Sequence, residues 1–178
     1  QVLSLSAVGL ADRYALHGEA LSKELARLLC SMVFDPPLDA DGQFRQEDFQ
    51  QEQRQMLETI DAEFNDKRTY AKQRCVQIMC EKERYGIPRY GSREAVASLS
   101  REALSKAWKR LIERARIEIM VLGNGDPEPV YQEFSKALRT ISRQAPVDCE
   151  TEIVLQAEEP VREVSEEMSV AQSKLVLG

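Results

Sequence analysis

The chain of 178 residues carries 24 basic and 30 acidic side chains, a net charge of −6 and a pI near 5.0. That balance argues against a broad nucleic-acid surface or an anionic-membrane surface. Its 43% hydrophobic and 30% charged residues are those of an ordinary globular domain long enough to bury a core, and no apolar run approaches the roughly 18 residues a membrane span requires.

In chain order, residues 2–8 read as a strand, with Leu3, Leu5 and Ala7 on the more apolar face. The opening QVLSLSAVGL shows no basic leader or cleavage site of a signal peptide, and its lack of an initiator Met with a strand-like start suggests a fragment of something longer. Gly18 precedes a helix running to about Val33, with Leu21, Leu25, Leu28, Leu29 and Met32 at helical spacing, stopped at Asp35-Pro36-Pro37. Asp39, Asp41 and Gly42 suit a turn. A second helix is expected over residues 46–65, with Phe49, Met56, Leu57, Ile60 and Phe64 as its apolar stripe, and a third over residues 69–79. Tyr85-Gly86-Ile87-Pro88 and Tyr90-Gly91 mark an irregular loop.

Ser100 is a good N-cap for a helix to about Ala115. Residues 116–122 are the best strand candidate, Ile117, Ile119 and Val121 alternating with Glu118, Met120 and Leu122. After Gly123-Asn124-Gly125, Asp126 and Pro127 begin another helix that stops before Pro146. Residues 144–168 turn acidic, interrupted by Ile153-Val154-Leu155 as one edge strand, and residues 174–178 become apolar again.

The residues that could carry chemistry are few. The cysteines, Cys30, Cys75, Cys80 and Cys149, make no C-x-x-C, and apolar neighbours such as Leu28, Leu29, Val76 and Met79 point to reduced, buried thiols in the cytoplasm. His17 is the one histidine, at a helix start, and reads as a surface or capping residue. Gly123-x-Gly125 resembles a phosphate-binding turn, but Asp126 and Glu128 occupy the anion position and the third glycine is missing. Lys106, Lys109, Arg110, Arg114 and Arg116 form the solvated face of one helix. Neither His-x-x-Glu-His nor His-Glu-x-x-His occurs.

The stretch EDFQQEQRQMLETIDAEFNDKRTYAKQRCVQIMCEKERYGIPRYG nonetheless resembles the glutamate-bearing helix, and the helices after it, of the insulinase-type (M16, inverted zincin) metallopeptidases. SLSREALSKAWKRLIERARIEIMVLGNGDPEPV is similar to that family's helix leading into a strand with a glycine turn, and QSKLVLG to the opening strand of its following domain. The resemblance, with the residue patterns, implies a partial LuxS/MPP-like metallohydrolase fold of class α+β, helices packed on one face of a small mixed or antiparallel sheet. It implies residues 1–143 as the later part of one such domain, 144–170 as an acidic interdomain linker and 171–178 as the start of a second domain.

In the family a helix carries two glutamates seven residues apart, the second a zinc ligand and the first orienting the ligand histidines. Laid on QEQRQMLETIDAE, the resemblance places the first at Glu52 and the ligand position at Thr59, whose hydroxyl is a poor substitute for a carboxylate. A register slip would bring in Glu58 but take Leu57 and Ile60 off the buried face. Without zinc, Glu52, Glu58 and Glu63 are simply a solvated helix face. With one histidine the chain lacks the usual two-His, one-carboxylate set, so no catalytic residue and no metal is assigned to it, zinc being the cofactor of the wider family.

The expectation is a non-catalytic subunit that binds peptide or pairs with a catalytic zinc peptidase subunit, with self-association through exposed sheet edge and apolar surface. One alternative is part of an active zinc endopeptidase whose metal motif lies upstream. The other is an unrelated helical adaptor domain, which absence of residues 116–122 from a sheet would favour.

Overall fold

The computed structural model describes residues 2–147, 153–154, 161–169 and 171–178. Among the described residues there are six α-helices: α1 Leu21–Phe34, α2 Gln46–Glu63, α3 Lys67–Met79, α4 Arg93–Ser98, α5 Arg101–Arg114 and α6 Glu128–Arg139. Short 3-10 turns lie at Asp12–Tyr14 and Arg84–Gly86. Among the described residues the only β pairing is an isolated bridge between Leu38 and Phe44.

The expected α+β class is therefore overturned: the described chain is all-helical and has no sheet. Residues 2–8 and 116–122 lie outside any strand, and Met120 and Leu122 are 95% and 99% exposed. Alternation says which side chains would share a face, but a strand exists only where a neighbouring backbone completes the ladder. No such neighbour lies beside these segments among the described residues. The edge strand expected at residues 153–155 is not formed at Ile153 and Val154, and Leu155 lies outside the described residues.

The chain divides into two units. The first comprises Gln1–Gln46 and Ser100–Asp148. Here α1 packs on α6, burying Ala26, Cys30 and Val130. Glu133 of α6 lies between Lys23 and Arg27 of α1, at 3.6 and 3.7 Å. The N-cap position of α1 is Ala20, which has no capping side chain, so Asp12, eight residues before it, caps the helix instead. Its carboxylate accepts from the Ser22 N–H at 2.8 Å and the Ser22 hydroxyl at 2.7 Å, satisfying donors that a helix start otherwise leaves orphaned.

Ser100 caps α5 by accepting from the Ala103 N–H, as its sequence predicts. The turn at residues 38–44 is tied to this helix in three places. Arg101 reaches Asp39 at 2.7 Å and Asp41 at 2.6 Å, and donates to the Phe44 carbonyl at 3.2 Å. Buried Ser105 accepts from the Phe44 N–H at 3.1 Å and donates to the Arg101 carbonyl at 2.8 Å. Trp108 meets Phe44 edge-on, centroids 5.6 Å apart, and donates to the Val33 carbonyl. At the far end of α5, Arg143 donates to the carbonyls of Ile112 and Ala115 at 2.5 and 2.6 Å, a cation where the helix dipole favours one.

The second unit comprises Glu47–Leu99 and Cys149–Gly178, with Cys149 itself outside the described residues. Gln53 of α2 donates to the carbonyls of Val96 and Leu99 at 2.8 and 3.1 Å, closing the C-terminal end of the short α4. Ser92 caps α4, and Arg93 pairs with Asp61 at 2.8 Å. Asp66 caps α3 through the N–H groups of Arg68 and Thr69. Just after α3, Gly86 approaches Cys80 so closely that a Cβ would lie 2.3 Å from its carbonyl oxygen.

Candidate functional site

The family resemblance centres on α2, so its solvent face is where zinc chemistry would have to be assembled. Glu52, Glu58 and Thr59 are all exposed, and Glu63 is half-buried with one contact to Gln73 at 3.4 Å. The Thr59 hydroxyl donates to the Gln55 carbonyl of its own helix at 2.8 Å. It is thus engaged in the back-bond common to helical threonines and presents no anionic oxygen. Glu52 lies two turns away along the axis, about 10 Å at 1.5 Å per residue, and Glu58 is about 100° round the helix from Thr59.

These donors do not fit zinc. Among the described residues no group of three or more His, Cys, Asp or Glu side chains could hold a metal ion. His17 is exposed in the other unit, where its backbone N–H donates to Glu19. Cys30, Cys75 and Cys80 are free thiols. Burial, with Glu133 nearby as the smaller influence, pushes the Cys30 thiol pKa up and away from thiolate chemistry.

The Gly123-x-Gly125 turn is exposed, and Asp126 itself accepts the Glu128 N–H at 3.0 Å, so the α6 start is already filled by a carboxylate. The basic face of α5 is solvated as expected, Lys106 pairing with Glu102 one turn away. No described helix is long and apolar enough to cross a membrane.

One polar cluster that sequence patterns did not single out lies on α3. Tyr70 donates to Glu166 at 2.8 Å and Arg74 to the same carboxylate at 2.5 Å. Those two hydrogen bonds, Arg74's first, hold the Glu166 carboxyl below the usual glutamate range. Burial, then Glu166, raises the Tyr70 phenol above its ordinary value. The available signal was charge complementarity between the basic KRTYAKQR run and the acidic EVSEE run, which hydrophobic periodicity ignores.

No family model matches the chain. In sequence it is 27% identical over 167 residues to Probable inactive metalloprotease YmfF of Bacillus subtilis (strain 168), which covers 94% of this chain and 38% of that protein. In structure it resembles a conserved protein from Enterococcus faecalis V583 at TM-score 0.66 and 25% identity, over 75% of this chain and 31% of the other. The chain thus spans well under half the length of the relatives it matches. Similarity along nearly the whole chain is more than amphipathic coincidence produces, and it outweighs the missing 116–122 strand as evidence on the adaptor alternative. The chain is similar, over nearly all its length, to a protein named as a probable inactive metalloprotease.

Proposed function

We propose that this chain is a non-catalytic M16-type peptidase-like segment that binds peptide or pairs with a catalytic zinc peptidase subunit. The observation that carries the reading is the α2 face. Where the family resemblance calls for a carboxylate ligand, Thr59 stands with its hydroxyl bonded to Gln55, and the neighbouring glutamates are solvated. A neutral hydroxyl already committed to its own helix does not replace a charged zinc ligand. Similarity to a protein described as an inactive metalloprotease supports the same conclusion. The free thiols of Cys30, Cys75 and Cys80 support a reducing, cytoplasmic setting.

Zinc content by elemental analysis after incubation and desalting tests the proposal. Less than about 0.1 zinc per chain is expected, with Thr59→Glu raising it little because no histidine pair accompanies it. Retention of one zinc per chain overturns the reading. Capture of a zinc peptidase by the immobilised chain would favour the pairing role over simple peptide binding.

A further inference from the structure

Tyr70 and Arg74 are four residues apart on α3, so their side chains share one face, and both end on the carboxylate of Glu166. The segment bearing Glu166 follows α3 through further point contacts. Arg162 pairs with Glu81 at 2.9 Å, and the Val154 N–H donates to Glu83 at 2.8 Å. Farther along, Leu175 to Leu177 lie beside Arg68, Ala71 and Lys72, and Gly178 lies against Cys75 and Met79. Residues 161–169 and 171–178 form neither helix nor strand, and Val161, Leu175 and Leu177 are 85%, 85% and 86% exposed. The attachment is therefore polar and local, with little apolar burial behind it. The Arg74 and Glu166 side chains are themselves 41% and 33% exposed, so the pair is accessible to exchange and weakened by salt.

A strap held this way has an equivalent competitor on every other copy of the chain, with the same carboxylate and flanking residues. Exchange of an identical element is a low-cost route to a dimer. We propose that the Tyr70–Arg74 face of α3 is an exchangeable docking surface, and that its occupant in trans is the Glu166-bearing segment of a second copy of this chain. The basis is charge complementarity already displayed within the chain: one carboxylate satisfied by a guanidinium and a phenol. At low concentration the tethered strap wins through its effective concentration, and exchange grows as chain concentration approaches the millimolar range.

Two charge-reversed versions of the 178-residue chain test this. Arg74→Glu and Glu166→Arg each place like charges at the pair, both within a chain and in a homodimer. Mixed, they offer each other two complementary contacts. In sedimentation at low salt and about millimolar chain, each alone is expected at the 20.2 kDa chain mass, and the equimolar mixture measurably above it, towards twice that mass. A mixture that sediments as monomers overturns the proposal. Should either variant lose its helical circular dichroism, a fluorescent peptide of residues 161–178 is titrated, up to about millimolar, onto the Glu166→Gln chain, whose own strap holds the face less tightly. Binding at least tenfold weaker for the Glu166→Gln peptide supports exchange; equal binding, or none by either peptide, overturns it.

Discussion

Ser105→Ala isolates one buried hydrogen bond with a reporter beside it. The hydroxyl accepts from the Phe44 N–H at 3.1 Å, and no other acceptor for that N–H lies among the described contacts. Leaving a buried donor unsatisfied costs about 1–3 kcal/mol, and because Phe44 is only half-buried the lower part of that range applies. The bond from the Ser105 hydroxyl to the Arg101 carbonyl is a helical back-bond whose loss is close to neutral. Alanine returns roughly 0.5 kcal/mol of helix propensity. The net expectation is a loss of about 1 kcal/mol, or roughly 0.5 M in urea midpoint at a slope near 2 kcal/mol/M. Because the chain has two units, a whole-chain signal mixes two transitions. Trp108, the single tryptophan, lies one turn from Ser105 and edge-on to Phe44, so its emission follows the first unit alone. Ser98→Ala, which removes only an exposed back-bond to Ala95 in the other unit, is the control and should not move the Trp108 midpoint. A Ser105→Ala midpoint indistinguishable from that control refutes the assignment of Ser105 as the turn's anchor.

Four further outcomes are expected. Gly86→Ala should reduce helicity of the second unit sharply, because its Cβ would lie 2.3 Å from the Cys80 carbonyl oxygen and backbone must move; Gly9→Ala meets only the flexible end of Leu25 at 2.8 Å and should change the Trp108 midpoint little. Arg143→Ala removes two charge-assisted bonds to the α5 carbonyls and should cost about 2 kcal/mol by Trp108 unfolding, with Arg143→Lys recovering part of it. The Glu166 carboxyl is depressed by Arg74 and Tyr70, so its hold on the strap is complete above the usual glutamate range and is lost as pH falls through the lowered value. The Tyr70 ring resonances in NMR should therefore shift as acid releases the Glu166 carboxylate in wild type and not in Glu166→Gln. Asp66 is depressed by its bonds to Thr69 in the same sense, so acid should weaken the cap and fray the start of α3, visible as a small loss of ellipticity that Asp66→Ala shows already at neutral pH and Asp66→Asn does not.

The helices were legible because their signals are local. Ser100 before an apolar stripe predicted α5, and the Pro36-Pro37 stop bounded α1, each to within a few residues of the observed ends. The six-residue α4 was missed because it spans too few turns to show a 3.6-residue period, although Ser92 before Arg93 and Glu94 was an available cap signal. The Asp12 cap of α1 was invisible for a different reason: the capping side chain comes from eight residues before the N-cap position, which is itself alanine. Failure of the sheet has the same origin on a larger scale. Residues 116–122 alternate as a strand should, yet pairing is a property of two backbones, and one segment's pattern cannot supply the second.

Thr59 shows how the candidate site divides along that line. That it falls at the family's ligand position is what the resemblance of its helix implies, an expectation available before any fold is known. That its hydroxyl is turned back onto Gln55, with Glu52 and Glu58 left in solvent, required coordinates. A threonine with a free hydroxyl beside two buried carboxylates would have kept metal binding open as a weak, neutral-ligand site. The observed arrangement leaves only solvated carboxylates on separate parts of the helix, each able to hold a hydrated cation loosely and none able to desolvate zinc. Changing Thr59 alone therefore cannot recreate the site: a carboxylate there would still lack the two imidazoles that complete the set.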